Sequence, residues 1–234
     1  MHLIADTWTG DVSYLRWQFP QADITVIPSD QEQTPHGHMM AECYLRARPN
    51  GSITLCHMRE DHLAIRDQLG RCSASWSFGA DFSDMEGKSS FDRIMGNAQK
   101  QALEGRHRSL VDGGLIFASA GNSDESRRGL PDMTPDLASP QQAWRRIFPN
   151  VFLIAACDPV NGMPATFSGD SVEDPPDVAY PGESILVWNP ATQKNEYIKG
   201  TSPAAQFAAA HVLNMLGPHA RPIAVRRFWA ATGR

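Results

Sequence analysis

Gly200-Thr201-Ser202-Pro203-Ala204-Ala205 opens the apolar run Phe207-Ala208-Ala209-Ala210-His211-Val212-Leu213. A glycine, two hydroxyl residues and then small helix formers predict a helix with a serine at its N-terminus. There the backbone N–H groups without an intrahelical partner, together with the positive end of the helix dipole, favour negative charge developing beside the serine oxygen. Pro203 fits this start, because its missing N–H would have no partner in the first turn and its fixed φ suits a helix. The proline follows Ser202, so the serine keeps its own N–H as a donor. Read alone, the stretch also fits a serine that merely caps its helix, and the rest of the chain has to decide.

At 234 residues the chain is long enough for one α/β domain with a substantial core and short for two, so 1–234 reads as a single domain. Hydrophobic residues at 41% and charged residues at 20% describe a globular protein, and a formal charge of -5 argues against a nucleic-acid partner. No window approaches the ~20 apolar residues of a membrane-spanning helix, and the N-terminus lacks the charged and apolar regions of a signal peptide. Neither a membrane partner nor export is expected, which makes the cytoplasm the expected location. Cys43, Cys56, Cys72 and Cys157 are widely spaced without a Cys-x-x-Cys pair. They read as buried thiols in a reducing compartment.

Short apolar runs predict strands over 2–5, 23–27, 52–58, 72–78, 114–120 and 151–157. Helical patterns lie between and after them, over 38–46, 61–69, 91–108, 141–148 and 203–216. This alternation implies an α/β fold, a three-layer, largely parallel twisted sheet with helices on both faces. In such sheets, sites form beyond the carboxyl ends of the strands. Polar loops over 81–90, 124–140 and 170–176 join the elements, with no internal repeat or clear linker.

Candidate chemistry sits at those ends. Asp6 follows Leu3-Ile4-Ala5 directly, which puts a carboxylate where a buried strand gives way to a turn; on its own it is also an ordinary turn residue. His36, in Pro35-His36-Gly37-His38, stands where a helix begins, and alone it reads as a surface or capping histidine. His36 and His38 could suggest a metal, but no second cluster at ligand spacing supports one, so no metal and no cofactor are expected. Leu115-Ile116-Phe117-Ala118-Ser119-Ala120-Gly121-Asn122 is a strand ending in small residues and an amide. Small residues admit a substrate side chain and the Asn122 NH₂ can donate to an oxyanion, although a plain Gly-Asn turn reads the same way. Ser77-Phe78-Gly79 looks like a strand leaving a free edge for an extended peptide.

Taken in chain order, Asp6, His36, Asn122 and Ser202 resemble the subtilisin-like serine proteases, whose triad runs Asp, His, Ser. By that resemblance Asp6 stands for the strand-end aspartate and His36 for the first histidine of His-Gly-Thr-His-Val-Ala. Asn122 matches the amide of Ala-Ala-Gly-Asn, and Ser202 the nucleophile of Gly-Thr-Ser. Asn150-Val151-Phe152-Leu153-Ile154-Ala155-Ala156 looks like the family's Pro-x-Val-Ile-x-Val-x-Ala strand. Asp177-Val178-Ala179-Tyr180-Pro181-Gly182 looks like its Asp-Val-x-Ala-Pro-Gly turn. There are departures. Trp8 replaces a glycine just after the aspartate, His38 and Met39 replace the threonine and second histidine, and Gln206 and Phe207 replace a proline and a histidine after the serine. The chain starts five residues before Asp6, without a recognisable propeptide or calcium loop.

The resemblance implies a serine endopeptidase with a peptide or protein substrate. His36 would be general base and acid, Asp6 its orienting partner, and the Ser202 N–H and Asn122 side chain the oxyanion donors. Peptide would lie along Ser77, Phe78 and Gly79, with its P1 side chain against Ala118, Ser119 and Ala120. No acidic residue occurs in these walls, which favours apolar or small P1 residues. The alternative function is a catalytically retired domain of the same fold that binds peptides or a partner protein. A nucleotide-binding protein is excluded, since no phosphate-cradling glycine pattern is present. Oligomeric state is left open by the sequence.

Overall fold

The computed structural model describes residues 1–6, 11–29, 34–57, 73–76, 114–122, 145, 148–168 and 175–232. Seven strands, β1 (His2–Asp6), β2 (Asp23–Val26), β3 (Ser52–His57), β4 (Ser73–Trp76), β5 (Ile116–Ser119), β6 (Val151–Cys157) and β7 (Val178–Pro181), form one sheet. All pairings are parallel, in the order β2-β3-β1-β4-β5-β6-β7. β1 is an interior strand, with Ala5 opposite Cys56 of β3 and Trp76 of β4. Its five residues are all buried, as expected of a parallel strand covered on both faces.

Strand alternation divides the core in two. Leu3, Ala5, Trp76, Ile116 and Ala118 face one side with Phe148, while Ile4, Phe117, Phe152 and Ile154 face the other. The second face carries α2 (His36–Ala47) and α3 (Thr201–Leu216), with α1 (Ser13–Gln18) and α4 (Pro222–Thr232) at its flanks. In α3, Ala204, Ala205, Ala208, Ala209 and Ala210 are fully buried. Alanine favours the helix, and its small side chain brings the α3 backbone close to the sheet and to α2.

The two central helices point the same way. Near the C-terminus of α3, Asn214 Nδ2 donates to the carbonyl of Ala47, the last residue of α2, at 2.9 Å. With those ends together, the N-termini bearing His36 and Ser202 lie at one edge, that of the strands' carboxyl ends.

A hairpin, β8 (Ile185–Asn189) and β9 (Lys194–Ile198), rides on α2. Its Val187 is buried, and the Trp188 N–H donates to the buried Glu42 carboxylate of α2 at 2.8 Å. Arg46 donates to the same carboxylate at 2.5 Å, so the buried charge is paired. At the start of β7, Asp177 accepts from Arg145 Nε at 2.8 Å and from the Leu153 N–H at 2.9 Å.

Six strands coincide with those read from the sequence, and α2 and α3 begin two residues earlier than expected. β7, the hairpin, α1 and α4 were not expected as elements. The expected helices over 61–69 and 91–108, most of 141–148, Cys72, Trp8 and Ser77-Phe78-Gly79 lie outside the described residues. Cys43, Cys56 and Cys157 are buried.

β7 leads into a backbone contact that fixes the approach to α3. The Gly200 N–H donates to the Gly182 carbonyl at 2.8 Å, and Gly182 in turn donates to Cys157 at 3.1 Å. A Cβ at Gly182 would lie 2.5 Å from the Gly200 oxygen and 2.6 Å from Ala156 Cβ, closer than real contacts allow. Gly182→Ala is therefore expected to destabilise the fold by about 1–3 kcal/mol, the usual effect of overpacking. Urea unfolding of the two proteins checks this; equal midpoints would mean the contact is not as tight as described.

Candidate active site

The site begins at the end of β1. Asp6 closes this interior strand, and its Oδ1 accepts from His36 Nδ1 at 2.7 Å. The aspartate side chain is 4% exposed and the histidine 37%, so the pair has a sheltered end and an end open to solvent. With Nδ1–H held by Asp6, the neutral ring presents the Nε2 lone pair. Burial works against a charged ring, but the charge of Asp6 and its hydrogen bond outweigh this and raise the His36 pKa above 6.5.

Ser202 is buried in the first turn of α3, and its N-cap is Gly200; the simple capping role open to Ser202 in the sequence is therefore not the one it takes. Gly200 has φ +154°, and a side chain there would meet the Asn122 amide at 3.3 Å. Both facts call for glycine.

Asn122 stands three residues beyond β5, exposed to solvent. Its Oδ1 accepts from the Thr201 N–H at 2.9 Å and from the Thr201 hydroxyl at 3.2 Å. The same hydroxyl accepts the Gly121 N–H at 3.1 Å. Two donors on Oδ1 leave one orientation for the amide, with NH₂ turned away from Thr201. Chemically, this is a donor fixed beside the serine's helix turn.

Asp6, His36, Asn122 and Ser202 thus gather at one edge of the sheet, on two parallel helices and two strand ends. Ala118, Ser119 and Ala120 are buried at the end of β5, beside Asn122. Ser77, Phe78 and Gly79 would follow β4 but lie outside the described residues, as does Trp8.

One polar cluster escaped the sequence reading. Gln206, one turn after Ser202, accepts from the Ser75 hydroxyl at 2.9 Å. His2 contacts Ser75 Oγ through Nε2 at 3.2 Å and Ser73 Oγ through Nδ1 at 2.9 Å, and stacks on Tyr44 at 4.5 Å. All four polar residues are fully buried. Because Ser75 donates to Gln206, its oxygen accepts from His2 Nε2–H, and Nδ1 accepts from Ser73, which suits a neutral imidazole. The available signal was Gln206 itself, a polar residue where the resemblance leads one to expect proline.

Two outcomes are expected. Asp6→Asn removes the charge but keeps the burial, so His36 should titrate below 6.5 in the variant and above it in the parent; imidazole NMR shifts against pH measure both, and an unmoved midpoint would contradict the pairing. Gln206→Met leaves the Ser75 hydroxyl without that acceptor and should lower stability by about 1–3 kcal/mol in urea unfolding.

Comparison with known proteins agrees with this fold. The family model described as the subtilase family, Peptidase_S8, matches residues 68–230, a span that includes Asn122 and Ser202 and leaves out Asp6 and His36. No curated protein matches the chain. Among solved structures, the self-cleaved protease domain of PatA is similar at 20% identity and TM-score 0.62, covering 97% of this chain and 86% of that one. A lanthipeptide protease is similar at 16% identity and TM-score 0.61, covering 97% and 78%. The PatG macrocyclase in complex with peptide is similar at 14% identity and TM-score 0.54, covering 97% and 80%. At these identities the likeness is one of fold.

Proposed function

The chain belongs to the subtilase family of serine proteases, and on that premise we propose that it is a serine endopeptidase working through Asp6, His36 and Ser202. The observation that carries this reading is the 2.7 Å Asp6–His36 contact, at the sheet edge where the N-terminus of α3 presents Ser202.

A serine hydroxyl attacks at neutral pH only if a base takes its proton. His36 Nε2 accepts that proton as Ser202 Oγ bonds to the peptide carbonyl carbon. Asp6 keeps the proton-accepting tautomer and stabilises the imidazolium. The carbonyl oxygen, now negative, lies between the Ser202 N–H and Asn122 Nδ2. His36 then gives its proton to the leaving amine as the C–N bond breaks, leaving an acyl-enzyme on Ser202. Water, deprotonated by the same histidine, releases the acid. The substrate peptide extends along Ser77-Phe78-Gly79 with its P1 side chain against Ala118-Ser119-Ala120. A peptide ligand in the PatG macrocyclase structure is in keeping with this substrate class.

Incubation with a fluorophosphonate followed by mass spectrometry tests the proposal. The expected adduct is on Ser202, lost in Ser202→Ala and His36→Ala, which act as a unit. Asn122→Ala should lower kcat about 10²–10³-fold with little change in KM, the effect of losing an oxyanion donor. No adduct on Ser202 would sink the endopeptidase reading, and a change mainly in KM would make Asn122 a substrate-binding group.

A further inference from the structure

Lys199 stands three residues before Ser202, at the end of the strand that feeds α3, and is exposed. Its ammonium lies 5.5 Å from the centre of the Phe167 ring. Among the described residues it makes no ion pair. Asp158, an acidic side chain of the loop after β6, turns its Oδ1 to the N–H groups of Val160 and Asn161 at 2.7 and 3.1 Å. A cation–π contact orients an ammonium but leaves its charge without a counterion.

The position of this cation follows from the sheet order. The proposed acyl-side groove runs between the ends of β4 and β5, and Phe167 comes after β6, the next strand beyond β5. Its neighbour Ser168 bridges to Asn122, and the Ser168 hydroxyl accepts the Ala156 N–H at 2.9 Å, which ties the segment to β6. Asn122 therefore has the acyl-side groove on one flank and the Phe167–Lys199 pair on the other. A peptide laid along β4 in the proposed orientation and crossing Ser202 would run toward this second flank.

We propose that Lys199 is a specificity-determining residue that recognises a carboxylate on the leaving-group portion of the peptide. The carboxylate belongs either to an Asp or Glu side chain just past the scissile bond or to a free C-terminus. The proposal rests on the endopeptidase reading and adds the substrate class to it. The Phe167 ring lies beside the ammonium, which forms no ion pair among the described residues.

The test is a digest of a random peptide library, with both sides of each cut read by mass spectrometry, after the wild-type chain has been checked for fluorophosphonate adduct on Ser202. Asp and Glu should be enriched about fivefold over Asn and Gln at the first or second position past the cut, a size set by a partly exposed ion pair. The enrichment should shrink with added salt. Lys199→Glu should turn it into enrichment of Lys and Arg, and because each ratio is taken within one variant, a change in overall activity cancels. A parallel library with amidated C-termini separates the two sources: cuts confined near free ends, and lost on amidation, assign the terminal carboxylate. A wild type that takes no adduct overturns the endopeptidase reading and this inference with it. A labelled wild type without acidic enrichment, or an enrichment that survives Lys199→Glu, overturns the inference alone.

Discussion

One side-chain oxygen holds the site together. Asn122 Oδ1 receives both the backbone and the hydroxyl hydrogen of Thr201, and that hydroxyl also takes the Gly121 N–H. A strand end and a helix start, far apart in sequence, are thereby clamped at three points. The clamp also satisfies a first-turn N–H that would otherwise lack a partner, while Pro203 has none to satisfy. Gly200 allows the close approach, and Gly182 supports Gly200 from beneath through its carbonyl.

The Asp6–His36 pair has opposite pH dependences for stability and for the fraction of neutral, proton-accepting ring. Because the folded-state pKa of His36 is raised, its pairing with Asp6 stabilises the fold fully at pH values below about 6.5 and loses this contribution as pH rises through the raised value. The neutral ring that accepts a proton dominates above that value. If His36 is the base, as proposed, the pH that favours it removes one electrostatic support of the site, and the uncharged links of Asn122, Thr201 and the glycines carry more of its rigidity there.

Much of this was legible in the sequence because parallel strands are nearly continuous apolar runs, as in Val151–Cys157, and because strand-end polar residues such as Asp6 and Asn122 break them sharply. The helix bearing Ser202 was legible from Gly200, Pro203 and the alanines. The β8–β9 hairpin was not, since Lys194–Ile198 is mostly polar and pairs with β8, whose Trp188 N–H is held from outside the hairpin by the buried Glu42. Val178–Pro181 contains a proline and reads as a turn, yet it pairs as an edge strand, where a missing N–H is tolerated. The His2, Ser73, Ser75 and Gln206 cluster was illegible for a different reason. Each residue is unremarkable in its own window, and only the pairing of β1 with β4 and the packing of α3 bring them together.

The parallel arrangement of α2 and α3, joined at their far ends by Asn214 and Ala47, makes the two helices a pair of tongs. The tips are His36 and Ser202, and the grip is at the C-terminal ends of the two helices. With a rise of about 1.5 Å per residue, twelve residues of α2 give an arm of roughly 18 Å, so a tilt of about 5° at the grip moves a tip by about 1.5 Å. A displacement of about 1 Å is enough to cost a reaction roughly a hundredfold. On the proposed mechanism, a sequence change around residues 47 and 214 that tilts either helix is therefore expected to be felt at His36 and Ser202, an arm's length from where it is made.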